Sequence, residues 1–450
     1  MKKFIATILS AMVGLFGYTI VDTAIETRVT NLESRVAYLE SVIEEQGGVV
    51  KPVVTTKPVA TTKPVATTKA PTTAIPTTAT TKPIPTTVIP TTVPATKPTT
   101  TVPSVTVPAV GGDVIDSGYC GDYAIWTLYS DGKLVISGYG AMYDATPPWK
   151  SYSKQIKNVV IEDGVTSICS SAFSDCTNLE SVTIGNSVTS IDNWAFFRCT
   201  SLTRVTIGNS VTDINQQAFA GCTSLKSITI PDSVTYIGSS AFAGCTSLES
   251  VIIGNSVKSI GGSAFEGCTS LESVIIPDSV TSLGSPYGSN GSQFYGCTSL
   301  KTVTIGNSVK AIEYRCFAGC SSLESVTIGN SVTEISGYAF SGCTSLKSIT
   351  IPDSVTSIYN YAFEGCTSLE SVTIGNGVKT IGEKTFYNCT NLKTVTIGKS
   401  VTSIGKMAFA GCTSITDVYY AGTQEQWNAI TVEDSNARLT DAKIHYNYTA

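Results

Sequence analysis

The sequence predicts a repeat solenoid, built mainly of short β-strands with short helical turns and capped at both ends. Three observations carry that expectation. Cysteines recur at 176, 199, 222, 245 and 268, then at 297 after an insertion, and again at 320, 343, 366, 389 and 412, so eleven units share a 23-residue register. Within a unit such as CTSLKSITIPDSVTYIGSSAFAG the large apolar positions are Leu225, Ile228, Ile230, Val234, Ile237 and Phe242, and the first three suit a short strand facing a core. Pro231-Asp232, or Gly254-Asn255 in a sister unit, is turn chemistry that ends the strand. The SSAFAG piece is expected to close the coil as one helical turn.

A unit this small cannot bury its faces alone, so neighbours must stack with strands about 4.8 Å apart. Eleven such coils span roughly 50 Å.

In chain order, residues 1–24 read as a signal anchor. Lys2 and Lys3 precede an uncharged, largely apolar run from Phe4 to Val21, nearly long enough as a helix to cross about 30 Å of hydrocarbon. The rival is a cleavable signal peptide. Its first plausible cleavage residue, Ala24, has Asp22 at the −3 position, which favours the uncleaved anchor. Residues 25–46 read as a short coiled coil: Ile25, Leu32 and Leu39 fall at d when Val29, Val36 and Ile43 fall at a, with Arg28 and Arg35 at g and Glu33 and Glu40 at e. That pattern favours a parallel homodimer through residues 25–43; a trimer or a solitary amphipathic helix are the alternatives.

Residues 47–112 change character. Units such as TTKPVATTKPVATTK hold threonine, proline, valine and lysine but no acid, so this is an extended linker with a reach on the order of 200 Å at polyproline spacing. Residues 113–158 read as an N-terminal β cap, with Asp131-Gly132 between alternating apolar residues as a hairpin turn. The repeats fill 159–416, and 417–450 form a C-terminal cap. Caps are required because an open solenoid end exposes unpaired strand edges. Trp126, Trp149, Trp427 and His445 are assigned to cap packing.

From residue 159 to 416 the sequence resembles the BspA-like leucine-rich repeats, whose pattern AFxGCTSLxSVTIPxSVTSIG it follows closely. The segment SGYCGDYAIWTLYSDGKLVISGYGAMYD resembles that family's N-terminal cap, and VYYAGTQEQWNAI with AKIHYN its C-terminal one. The resemblance implies an extracellular or surface-anchored protein engaged in adhesion and protein binding, without catalysis.

Composition narrows the functions independently. With a formal charge of −5 and charged residues at only 14%, the chain has no dense basic face for nucleic acid. His445 is the single histidine, which leaves histidine-based catalysis and metal binding almost nothing to use. No cofactor, metal or catalytic residue is expected. Repeat-register thiols project in one direction and do not point at one another, so they are expected as a ladder of buried small hydrophobes, with Cys120, Cys169 and Cys316 off the ladder. The residues after the core leucine, Glu272, Lys301, Glu324, Lys347, Glu370 and Lys393, alternate in sign and are read as a structural stripe.

For partner binding the candidates are Tyr287, Tyr295, Tyr314, Tyr338, Tyr359, Tyr361 and Tyr387, clustered on the turn side near an insertion within GSPYGSNGS. The competing reading is that they cover the turns and fill gaps. The leading function is a membrane-anchored cell-surface protein displaying its solenoid for adhesion or protein–protein binding, its partner a host, matrix or neighbouring-cell surface protein or glycan. If the N-terminal segment is cleaved, the chain is secreted instead. A structural envelope stalk without a ligand is the alternative, followed by a non-catalytic module of a polysaccharide-processing system.

Overall fold

The computed structural model describes residues 112–143, 146–284 and 291–449. The expected anchor, coiled coil and all of the linker before Gly112 lie outside the described residues, as does Tyr287. Among the described residues no helix is long and apolar enough to cross a membrane.

The N-terminal cap is an antiparallel meander of β1 (Val114–Tyr119), β2 (Gly121–Tyr129) and β3 (Lys133–Met142). The expected hairpin turn is there: Gly132 takes φ +85° and Asp131 accepts the Lys133 amide at 2.9 Å. β3 then forks. Its first half, Lys133–Ile136, pairs in parallel with Asn158–Ile161, while Gly140 and Ala141 pair with Val165 and Ser167. One long strand thus templates two rows of shorter ones.

The first row of strands begins at Asn158–Ile161 and runs to Asp417–Tyr420 and Lys443–His445; the second begins at Val165–Ile168 and ends at Thr431–Val432. Every assigned repeat pairing is parallel and joins equivalent positions, as in Ile349 with Val372 and Ile351 with Ile374. The inward residues of both rows, with Leu225 and Phe242 and their equivalents, form one continuous core.

The third side of each coil corrects the sequence expectation. SSAFAG is not helical. Ser240 and Gly244 take left-handed backbone angles, φ +55° and +70°, which break any helical run. Alternate amides instead donate to the next coil: Ser240 to Gly262, Phe242 to Ala264 and Gly244 to Glu266, at 2.7–2.9 Å. Stacking therefore satisfies backbone groups on all three sides, because a buried amide without a partner costs more than the turn strain it replaces.

Side chains repeat that logic. Neighbouring phenylalanines from Phe173 to Phe409 stack with ring centroids 5.0–5.4 Å apart and planes within 19°, and Trp149 of the cap continues the column onto Phe173 at 5.4 Å. Each such contact contributes about 0.5–1.5 kcal/mol beyond area burial. At the turns, the Asn or Asp side chain of one coil accepts the backbone amide of the next, as Asp232 does from Asn255 at 2.7 Å and Asp353 from Asn376 at 2.6 Å.

All fourteen cysteines are buried. The ladder thiols are more than small hydrophobes. From Cys199 to Cys412 each ladder Sγ–H donates to the phenylalanine carbonyl of the preceding coil, Cys343 to Phe317 and Cys366 to Phe340 both at 3.3 Å. That same carbonyl accepts the amide of its own coil's cysteine, so the thiol fills its second lone pair. Burial pushes the Cys297 thiol up to about 12, which keeps it protonated as a donor. Off the ladder, Cys316 takes an alanine position in the core, and Cys120 and Cys169 line a small cavity of about 160 Å³ beneath the cap.

The C-terminal cap continues both strand rows past the last repeat. Its helix α1 (Gln424–Asn428) opens with a capping box between Thr423 and Gln426 and sets the buried Trp427 edge-on against Tyr420 at 5.4 Å. A second short helix, α2 (Ala437–Thr440), buries Leu439. His445 stacks on Tyr419 at 4.6 Å, its Nε2 2.8 Å from Asp417 Oδ1. The hydrogen bond to His445 holds the Asp417 carboxyl below its ordinary 3.8.

Phe340→Ala removes one ring from the middle of the column and should cost about 3–5 kcal/mol, read as a lower urea midpoint; a loss under about 1 kcal/mol would contradict the stacked core. Because the Asp417 carboxyl is depressed in the fold, its contribution is complete above its unfolded value and vanishes as pH falls through its folded value. The urea midpoints of the wild type and Asp417→Asn should therefore differ at neutral pH and converge in acid below 3.8. A gap that does not shrink as pH falls below 3.8 would show that the carboxylate is not what stabilises the cap.

A tyrosine groove on the turn side

One position per coil takes left-handed backbone without being glycine: Ser171, Trp194, Gln217, Ser240, Ser263, Ser292, Arg315, Tyr338, Tyr361, Lys384 and Met407, all with φ between +52° and +60° except Tyr361 at +64°. An L-residue adopts this region at a cost of about 1–2 kcal/mol. The cost is offset where the residue's amide donates across coils, as from Tyr338 to Asn360 at 3.2 Å and from Tyr361 to Glu383 at 3.0 Å. The result is a row of side chains along the outer edge of the solenoid at coil spacing, close to the separation at which aromatic rings stack.

Large side chains occupy four consecutive places in that row. Arg315, Tyr338, Tyr361 and Lys384 form a column in which the two tyrosine rings stack at 4.7 Å and within 4° of parallel. The Arg315 guanidinium lies 5.4 Å from the Tyr338 ring centroid and 5.2 Å from that of Tyr314. At the other end Lys384 Nζ sits 5.0 Å from the Tyr361 centroid and 5.9 Å from that of Tyr387, and donates to the Tyr361 hydroxyl at 3.0 Å. That hydrogen bond raises the Lys384 ammonium above its usual range, and desolvation together with the neighbouring Tyr361 raises the Tyr338 phenol. Both ends of the aromatic pair thus carry a cation, an arrangement worth about 0.5–1 kcal/mol per contact at exposed sites.

Beside this column lies an open groove of about 430 Å³, lined by Tyr314, Tyr338, Tyr359 and Tyr361 with Glu334, Ser336, Gly337 and Asn360. Tyr314 stands edge-on to Tyr338 at 5.7 Å and packs over Gly337, whose missing side chain leaves the floor low. Tyr314 and Tyr359 are 44% and 45% exposed, so their rings remain available. Glu313 is half-buried next to the groove; desolvation first, and then the charge of Glu334, push its carboxyl up.

The predicted tyrosines therefore divide. Tyr314, Tyr338, Tyr359 and Tyr361 come together, and Tyr387 joins through Lys384. Tyr295 does not: it is exposed on the row three residues further along, the row of Tyr387 but four coils away. The charge stripe is present where Lys301 meets Glu272 at 3.3 Å and Lys393 meets Glu370 at 2.9 Å, both exposed pairs worth about 0–1 kcal/mol.

Sequence reasoning missed several exposed apolar residues. Tyr119, Tyr123 and Tyr139 stand on the cap's outer face, each at least 70% exposed, and Ile252 and Ile275 interrupt the outward threonine row on adjacent strands. Their signal was the departure from the repeat, VIIGN and VIIPD where sister coils read VTI. Trp194 was missed too; it occupies the left-handed row and donates from Nε1 to Gln217 at 2.6 Å.

A family model described as the BspA type leucine rich repeat region matches residues 151–272, 237–287 and 290–416. Among solved structures, a leucine rich cell surface protein of Faecalibacterium prausnitzii is 29% identical, with 72% of this chain and 99% of that one covered and a TM-score of 0.40. A leucine-rich repeat protein of Eubacterium ventriosum is 25% identical over 75% of this chain and 96% of that one, with a TM-score of 0.42. One from Bacteroides ovatus is 26% identical over 73% and 99%, with a TM-score of 0.35. No curated protein matches the chain.

Proposed function

The chain belongs to the BspA-type leucine-rich repeat family, and from that premise we propose that it is a membrane-anchored display protein whose solenoid binds a protein on another surface. The observation that carries the reading is the groove: four tyrosines from three successive coils converge on one open depression, on a solenoid whose outward positions are otherwise mostly serine, threonine and asparagine. Aromatic rings held by neighbours bury large area for little lost entropy, which is why binding energy concentrates on them. Tyr338 and Tyr361 are held in place by their left-handed backbone, their mutual stacking and the flanking cations.

The order of the chain supports display. In this reading residues 1–24 would anchor it, residues 25–43 would pair two copies in parallel, and the Thr/Pro-rich linker would carry the solenoid clear of the envelope. Pairing would place two grooves on one tether, and bivalent contact raises avidity without any new interaction. The reading assigns the protein no catalytic step; its work is recognition at a rigid surface.

The double substitution Tyr338→Ser with Tyr361→Ser in the full chain tests this. Binding to partner-bearing cells should fall at least about tenfold, while the circular dichroism spectrum and the cooperativity of unfolding persist. Unchanged binding by a folded double variant would remove the groove from the function.

A further inference from the structure

From the lining of the tyrosine groove we infer what it recognises: the protonated side chain of a lysine presented by a protein partner. The inference rests on the groove being the binding site, and adds the chemistry of its occupant. Charge complementarity is the first support. The one charged residue in the lining is Glu334, an exposed carboxylate, and Glu313 stands behind it on the preceding coil. Neither has an ion-pair partner among the described residues. Neither neighbouring cation pairs with these carboxylates: Arg315 lies against the Tyr314 and Tyr338 rings at one end of the wall, and Lys384 at the other donates to Tyr361 and lies 3.8 Å from Glu383.

The second support is the aromatic wall. A ring face is electronegative, and a cation set against several such faces beside a carboxylate is held by all of them at once. This protein already does so with its own side chains: Arg315 and Lys384 each lie against two tyrosine rings. Between them, at Ser336, Gly337 and Asn360, the chain supplies no cation of its own, and Tyr314 and Tyr359 flank that gap with nearly half their surface exposed. Asn360 Oδ1 accepts the Glu383 amide at 2.9 Å, which turns its NH₂ away from that bond and fixes the amide orientation at the groove wall. A flexible four-carbon stem ending in a compact ammonium suits such an open groove, where its methylenes lie along the rings and its charge reaches Glu334.

The test is fluorescence anisotropy of a labelled Gly-Lys-Gly-Lys-Gly peptide with the full chain at physiological salt. The peptide should bind with a Kd on the order of 100 µM, and Nε-acetylation, which removes the charge and leaves the methylene stem intact, should weaken it at least about tenfold. Glu334→Gln and Tyr359→Ala should each weaken it by about tenfold, Tyr359→Phe should retain binding, and Glu370→Gln, which removes an equally exposed acid elsewhere, should change nothing. Equal binding of the acetylated peptide, or equal effects of Glu334→Gln and Glu370→Gln, overturns the inference. Its failure is distinguishable from failure of the groove. If cell binding is lost in the Tyr338→Ser, Tyr361→Ser protein but survives acetylation of the partner's lysines, the groove stands and the ammonium falls. If cell binding survives the double substitution, the groove itself falls.

Discussion

Every feature of the solenoid depends on the contact between one coil and the next being the same contact each time. A single 23-residue unit has too little interior to offset its own ordering entropy, so its folding free energy lies in the interface with its neighbours. Repetition lets one solution to that interface serve throughout. Phenylalanine meets phenylalanine, a thiol meets the carbonyl one coil back, and a turn carboxylate or amide meets the next turn's amide. A slip by part of a coil would break all three ladders at once, so register is over-determined. The caps follow from the same constraint: Trp149 supplies the column with a last ring at one end, and residues 417–449 extend both strand rows at the other.

An exterior built this way is a set of parallel rows, each made of one position sampled once per coil. Most rows are monotonous, and function enters where neighbouring coils depart together. The left-handed row shows how. Its backbone is set by the fold, whatever side chain occupies it, so Ser240 and Ser263 in earlier coils and Arg315, Tyr338, Tyr361 and Lys384 in later ones stand on the same scaffold. Two tyrosines in consecutive coils stack because the coil repeat happens to match aromatic stacking distance. The groove is therefore a local variation on a rigid lattice, pre-formed at little cost in local order.

Much of this was legible in the sequence. The period fixed the stacking, the apolar positions fixed the core from Leu225 to Phe242, and Asp131-Gly132 fixed the cap hairpin. The turn side was not legible. SSAFAG carries helix-compatible residues, and nothing in Ser240 or Tyr338 announces a left-handed backbone, since the usual signal is glycine and the strain is offset by hydrogen bonds to a coil 23 residues away. The thiol's role as a donor was hidden for the same reason, its acceptor lying 26 residues upstream. Of the predicted tyrosines, periodicity said which share a row, but not which rows border one depression; that is why Tyr314, Tyr338, Tyr359 and Tyr361 converge while Tyr295 stands apart.

The measurement that bears most directly on the shared interface is residue-resolved alkylation of the native protein, followed by mass spectrometry of its cysteine peptides. From Cys199 onward each ladder thiol is buried and tied to the coil before it, so reagent reaches it only when that interface opens. Cys199 through Cys389 should react together at one slow rate that rises in step as denaturant is added. A single ladder cysteine alkylated at the rate of an exposed thiol, with the others still protected, would mean that the coils do not share one interior.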